Sequence, residues 1–225
     1  MRKFVLLLAF LLLGTTLLPA QVGTAYRYAK RWNISVFGGP SVYVGDFSSQ
    51  FTKHYMTREL FSPVGGASVG YYFTSGNAMR ILANFSKKSA VLCPDYGFYP
   101  YKFKSVQVFG DYVLNFKGLA EYYTAVNSQG YVGLGGAYTY GFRTSWSDEA
   151  LDAAIRRPNF VPAFHIGLIV EYVFPNGLGF LFDLCMANYL DPYDGQPYSN
   201  FPLDFETDAS FGLIYHFKTN KKVLR

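Results

Sequence analysis

The chain has 225 residues, of which 20% are aromatic and only 16% charged, with 22 Gly and 20 Tyr. That balance speaks against a soluble α/β protein and fits a wall of strands whose aromatic residues meet lipid. The formal charge of +5 falls to +3 once Arg2 and Lys3 leave with a leader, too mild an excess to support nucleic-acid binding.

Residues 1–20 read as a cleaved signal peptide. Arg2-Lys3 are a positive n-region, Phe4 to Leu13 an apolar h-region, and Ala20 precedes the expected cut, with Ala25 as the second choice. No Cys follows the apolar run, which argues against a lipoprotein.

The first strand is Trp32 to Val44, with Ile34, Val36, Val42 and Val44 on one face and Ser35, Ser41 and Tyr43 on the other. Such period-two alternation marks a strand with two unlike faces. Gly38-Gly39-Pro40 in its middle permits a bend or bulge. A polar loop follows to about Leu60. The second strand, Phe61 to Phe73, turns Ala67, Val69, Tyr71 and Phe73 outward, and a tight turn at Ser75-Gly76-Asn77 leads into the third, Ala78 to Lys87. There Met79, Ile81, Ala83 and Phe85 face out while Arg80, Leu82 and Asn84 face in.

Residues 88–110 read as a long aromatic loop that extends the hairpin. The fourth strand is expected over Asp111 to Val126, with Leu114, Phe116, Ala120 and Tyr122 outward and Asn115, Lys117 and Glu121 inward. Asn127-Ser128-Gln129 would turn the chain into the fifth, Gly130 to Arg143. There Val132, Leu134, Tyr138, Tyr140 and Phe142 point outward, and Gly133, Gly135 and Gly141 line the inside. Thr144 to Asn159 is a further loop, with a short helix at Asp148 to Arg156.

The clearest pattern lies in Phe160 to Asp191. Phe164, Ile166, Leu168, Val170, Tyr172 and Phe174 alternate with a mixed face holding His165, Gly167 and Glu171. After Pro175-Asn176-Gly177 the pattern restarts as Leu178, Phe180, Phe182, Leu184 and Met186 against Gly179, Asp183, Cys185 and Ala187. Keeping Phe174 and Leu178 on one face requires a three-residue turn ending in a left-handed glycine. Each strand then shows an unbroken apolar face of roughly ten residues, enough to cross a bilayer when tilted. After a loop from Pro192 to Pro202, the eighth strand runs from Asp204 to Phe217, with Ala209, Phe211, Leu213, Tyr215 and Phe217 outward and Asp208, Ser210, Gly212, Ile214 and His216 inward.

The pattern predicts an all-β fold, an eight-stranded antiparallel transmembrane β-barrel with short periplasmic turns alternating strictly with long extracellular loops. Residues 21–31 become a periplasmic N-terminal segment, 32–218 the barrel and 219–225 a periplasmic basic tail. Eight strands leave an interior that side chains can fill. The inward charges Arg80, Lys117, Glu121, Arg143, Glu171, Asp183 and Asp208 are expected to form an ion-paired layer, because charges taken out of water must be paired. His165 and His216 read as satisfied structural groups, and Cys93 and Cys185 as free thiols.

Catalytic and cofactor signals are thin. His54 has Asp46, Ser48 and Ser49 near it in the first loop, and extracellular Ser/His/Asp groups serve some outer-membrane lipid-modifying enzymes. A hydrophilic loop would hold such residues by chance, so the expectation is no enzyme, no metal and no cofactor. The glycan-acceptor matches at Asn33-Ile34-Ser35 and Asn84-Phe85-Ser86 lie in strands and are set aside.

Ser210-x-Gly212-x-x-Tyr215-x-Phe217 resembles the terminal-strand signal read by the barrel-assembly machinery, although here a short basic tail follows it. Larger stretches also look familiar. FGGPSVYVGDF, FSPVGGASVGYYFTSGNAMRILANFS, NFKGLAEYYTAV and Asn188-Tyr189-Leu190-Asp191 resemble segments of the PorG-like (DUF6089-type) outer-membrane barrels of Bacteroidetes, over most of the mature chain. Here Asn188 stands where that pattern has Asp. The resemblance implies a component of the type IX secretion and gliding machinery that contacts a periplasmic ring of a PorK-like lipoprotein and a PorN-like protein. The candidate docking turns would be Ser75, Gly76, Asn77, Asn127, Ser128, Asn176 and Gly177. The alternative is a general small barrel of the OmpA/OmpX/OmpW type, acting through its long loops in membrane integrity, adhesion or passage of small hydrophobic molecules.

Overall fold

The computed structural model describes residues 30–44, 61–92, 99–116, 126–144, 159–190, 193 and 203–217. Eight strands make up almost all of this: β1 Arg31–Val44, β2 Phe61–Tyr72, β3 Asn77–Leu92, β4 Tyr99–Asn115, β5 Val126–Thr144, β6 Asn159–Val173, β7 Leu178–Leu190 and β8 Leu203–His216. Each pairs antiparallel with its chain neighbours, and β1 pairs with β8, so the sheet closes into a barrel with no free edge. Closure satisfies every ladder hydrogen bond internally, the condition for crossing hydrocarbon with strands.

The alternation seen in the sequence becomes an inside and an outside. Every strand places large apolar side chains on the outer wall, among them Val36, Val69, Ile81, Val108, Leu134, Ile166, Phe180 and Phe211. Leu134 is 73% exposed and Ile81 66%, within a continuous apolar outer wall of the kind that faces lipid. Ser35, Ser68, Arg80, Gln107, His165, Asp183 and Ser210 are buried on the opposite face.

The connections define two ends. At one end lie 73–76, 116–125 and 174–177, with the start of β1 and the finish of β8; at the other lie 45–60, 93–98, 145–158 and 191–202. These are called the turn end and the loop end. The β6–β7 turn has the expected form: Phe174 N–H donates to Leu178 O, Gly177 N–H donates to Phe174 O, and Gly177 sits at φ +95°.

Four expectations are corrected. Residues 99–110 belong to β4, paired with β3 from Leu92↔Tyr99 onward, so the long loop shrinks to 93–98. The sequence hides this strand because its inner face is itself aromatic, with Tyr101, Phe103 and Phe109 all buried. Second, β4 stops at Asn115 and Asn127-Ser128-Gln129 lies inside β5, paired with Glu171, Val170 and Ile169 of β6. Residues 116–125 rather than a three-residue turn therefore separate β4 from β5. Third, Gly38-Gly39-Pro40 makes no bulge, since its register with β2 is unbroken.

The fourth correction is a bulge elsewhere. Between Lys102 and Lys104 the β4–β5 register shifts, where β5 takes one extra residue. Gly141 sits there at φ +65°, a left-handed backbone that glycine adopts without strain. The shift reverses the faces beyond it. Phe142 turns inward onto Phe103, with rings stacked at 5.4 Å, and Arg143 turns out and is exposed. Arg143 therefore contributes nothing to the interior, and Gly141 does not line it.

Candidate functional site

The barrel interior is a stack of three polar and aromatic layers. Nearest the turn end, Glu171 accepts hydrogen bonds from Asn127 Nδ2 at 2.7 Å and Gln129 Nε2 at 2.6 Å, and its other oxygen lies 3.3 Å from His216 Nε2. The amides come from β5, where alternation brings both onto the inner face opposite Glu171 of β6. The carboxylate gains three polar partners in place of water, as burial requires.

The middle layer is centred on Arg80 of β3. Its Nε donates to Asp111 Oδ2 at 2.6 Å and its Nη1 to Asp183 Oδ2 at 3.2 Å. The guanidinium lies 4.2 Å from the Tyr131 ring centroid, and Tyr131 donates its hydroxyl to Asp183 Oδ1 at 2.8 Å. Asp111 also holds His165 Nε2 at 2.6 Å, and His165 stacks on Phe109 at 3.8 Å. Gly133 makes this possible, since a Cβ there would collide with the Asp111 carboxylate and the His165 ring. Between these two layers is a cavity of about 20 Å³, lined by Asn33, Ser35, Tyr72, Arg80, Gln129 and Glu171, which has room for one water.

Asp111, His165 and Cys185 form a line with the order of a nucleophile triad, as Cys185 Sγ lies 3.5 Å from His165 Nδ1. The thiol is buried at 8% exposure, His165 at 0%, and Phe109 covers the ring. The adjoining cavity is lined by neither Cys185 nor His165, and the line is packed among core side chains.

Toward the loop end, Lys88 of β3 pairs with Glu206 of β8, both completely buried. Glu206 further accepts from Ser41 at 2.7 Å, Tyr189 at 2.8 Å, Gln107 at 3.2 Å and Tyr193 at 3.5 Å. Above this layer sits an aromatic cap of Tyr43, Tyr101, Phe103, Phe142, Tyr189 and Tyr193. Tyr189 and Tyr193 stack at 3.8 Å and 9°. Tyr193 lies beyond β7, and burial together with the Glu206 carboxylate raises its phenol well above the ordinary range, so it stays a hydrogen-bond donor.

The structure thus brings Arg80 and Asp183 together and places Glu171 one layer below them. Asp208 faces inward and is buried, in register with Ser41 of β1 and Cys185 of β7. Lys117 and Glu121 lie outside the described residues, as do His54, Asp46, Ser48, Ser49 and Cys93. Cys185 is free and buried. Among the described residues no cluster fit to hold a metal ion occurs. Sequence reasoning missed Lys88, Asp111, Gln107 and Glu206. For Gln107 and Asp111 the signal was there in the every-second-residue series Tyr101, Phe103, Ser105, Gln107, Phe109, Asp111, whose members are all buried.

Of the turn residues, Asn77 opens β3 and accepts the Tyr112 hydroxyl at 2.7 Å, while Thr74 Oγ1 accepts from Gly76 N–H at 3.2 Å and Asn77 N–H at 3.1 Å. Ser75 lies between them in the same turn. Asn176 Oδ1 accepts from Leu178 N–H at 3.0 Å, and Gly177 O accepts from His216 N–H at 2.8 Å. Asn127 is buried at 1% exposure and bound to Glu171, and Ser128 pairs within the ladder, so neither belongs to an exposed turn. In β8, Ser210 faces inward, while Tyr215 and Phe217 pack ring to ring at 5.1 Å on the outer wall, and Gly212 approaches the backbone of β1 at Val36 and Phe37.

No protein-family model matches the chain, and no curated protein matches its sequence. Solved structures with a similar shape are small barrels. The N-terminal β-barrel domain of Pseudomonas aeruginosa OprF matches with 14% identity and TM-score 0.46 over 84% of this chain and 98% of that one. Neisserial surface protein A matches at 11% and 0.48 over 83% and 97%. A major outer membrane protein from Thermus thermophilus matches at 12% and 0.49 over 83% and 99%. The barrel assignment itself rests on the closed strand pairing.

Proposed function

We propose that the protein is a non-enzymatic outer-membrane barrel that acts as a plugged anchor, offering partners its two ends rather than a pore. The observation that carries this is the filled interior, with three buried layers stacked from Glu171 through Arg80 to Glu206 and a 20 Å³ cavity between the first two. An eight-stranded wall filled in this way leaves no continuous water path. Reconstitution in planar bilayers should give no steady conductance steps, and stable channels would overturn the plug.

Within this reading, the PorG-like sequence resemblance supports a place in the type IX secretion machinery. The turn end, with Ser75, Gly76, Asn77, Asn176 and Gly177, would face the periplasm and meet a ring of PorK-like and PorN-like proteins. Those turns are tied by their own hydrogen bonds, which suits a rigid contact that loses little entropy on docking. The second reading, an OmpA/OmpX/OmpW-like barrel working through its loops, is favoured by Tyr193, which lies just beyond β7 and is held against Tyr189 and Glu206 at the loop end.

Affinity purification of a tagged copy from mildly crosslinked outer membranes separates the two. Recovery of the ring proteins supports the secretion role, and a lone barrel supports the second reading.

A further inference from the structure

The inside and outside of the barrel differ in charge. Every carboxylate among the described residues is buried within: Asp111, Glu171, Asp183, Asp204, Glu206 and Asp208. The cations divide. Arg80 and Lys88 are buried and Lys30 and Arg31 lie at the turn end, whereas Lys87, Lys102, Lys104 and Arg143 are on the outer wall near the loop end.

These four cations are neighbours. Lys87 stands directly opposite Lys104 across β3 and β4, and Lys102 stands opposite Arg143 across β4 and β5. Like charges facing each other across a ladder destabilise the pairing unless an anion lies between them. No carboxylate among the described residues is within ion-pair distance of any of the four. Elsewhere at this end, the outward positions among the described residues are neutral, as at Val42, Phe160, Pro162, Leu190 and Thr207.

The patch also has a fixed depth. Immediately toward the turn end the same strands expose Phe85, Val106, Val108 and Tyr138. Lys104 Nζ lies 5.9 Å from the centroid of Tyr140, which stacks on Tyr138. Aromatic rings of this kind mark the level where hydrocarbon gives way to headgroups. A groove of about 600 Å³ adjoins the cations, with Phe61 and Pro63 on its apolar side.

We infer that Lys87, Lys102, Lys104 and Arg143 bind the phosphate-bearing headgroup of a lipid in the leaflet at the loop end, its acyl chains lying on Phe85, Val106 and Val108. The inference rests on the reading of the barrel as spanning a membrane. Phosphate supplies the anion that the opposed cations lack, and the adjoining apolar wall selects a lipid over a soluble anion.

The test is native mass spectrometry of the mature protein in detergent, with diphosphorylated lipid A, its dephosphorylated form or inorganic phosphate added. The phosphorylated lipid should be retained in preference to the dephosphorylated one. Lys87→Gln with Lys104→Gln should weaken that retention by about tenfold or more, whereas Lys87→Arg with Lys104→Arg should keep it. Lys102→Gln with Arg143→Gln provides a second loss variant, and heat-modifiable gel mobility reports that each variant is folded. Equal retention of both lipid forms, unchanged retention in both folded Gln variants, or displacement of the lipid by equimolar phosphate would overturn the inference. Wild-type protein that fails to form a protease-protected barrel in vesicles would defeat the membrane reading and the inference together. A protected barrel indifferent to lipid phosphate would defeat the inference alone.

Discussion

The two ends of the interior solve the problem of buried charge differently. At mid-depth, Arg80 is the one described cation between two carboxylates, Asp111 and Asp183, with a histidine and a tyrosine completing their hydrogen bonds. Near the loop end, Lys88 pairs with Glu206, which is also held by neutral donors from Ser41, Gln107, Tyr189 and Tyr193 and shares a hydrogen bond with Asp208. The first layer depends on one charge, whereas the second is spread over many weaker bonds. Redundancy, more than burial, should decide what each layer loses when its cation is removed.

The largest effect should therefore come from Arg80→Met, which strands two buried carboxylates. Removing one partner of a buried ion pair costs about 3–5 kcal/mol, and here the upper part of that range is expected. Urea unfolding in lipid vesicles, followed by tryptophan fluorescence and gel mobility, would measure it. A loss below about 1 kcal/mol would mean that Asp111 and Asp183 do not need the guanidinium. Lys88→Met should cost less, about 2 kcal/mol, because Glu206 keeps its hydroxyl and amide donors. If the two variants lose equally, the contrast between the layers fails.

How far the sequence reveals this depends on which face a residue occupies. The outer wall was legible along β6, β7 and β8 because lipid demands an unbroken apolar series, and Phe164 to Phe174 or Phe180 to Met186 cannot be read otherwise. The turn at Gly177 followed from keeping that series in phase. The interior was legible only where a charge interrupts a strand already recognised, as at Arg80, Glu171 and Asp183. Lys88, Asp111 and Glu206 were missed for different reasons. Lys88 lies in a polar run, Ser86 to Ser89, that shows no contrast between faces, and near the loop end of β4 the usual contrast is inverted, with Tyr101 and Phe103 inside and Lys102 and Lys104 outside. Glu206 sits beside Asp204 and Asp208 in a run whose pairing with β3 across the barrel no local pattern contains.

The bulge at Gly141 offers the smaller tests. Gly141→Ala places a side chain at φ +65° with only ordinary contacts to Lys104, at 3.7 and 3.9 Å, so the cost is backbone strain of about 1–2 kcal/mol. The same vesicle assay would register it, and a neutral result would mean that β5 runs without the bulge.

Arg143→Gln should have the smallest effect, and it discriminates between two placements of one residue. Unbroken alternation would put the guanidinium inside the barrel, where its loss would strand a carboxylate and cost several kcal/mol. The bulge puts Arg143 outside, exposed and opposite Lys102. Replacing it there removes a repulsion and no packing, so stability should stay within about 0.5 kcal/mol of wild type. Its effect should fall instead on the lipid the barrel retains. A destabilisation comparable to Arg80→Met would return Arg143 to the interior and remove one of the four cations from the outer patch.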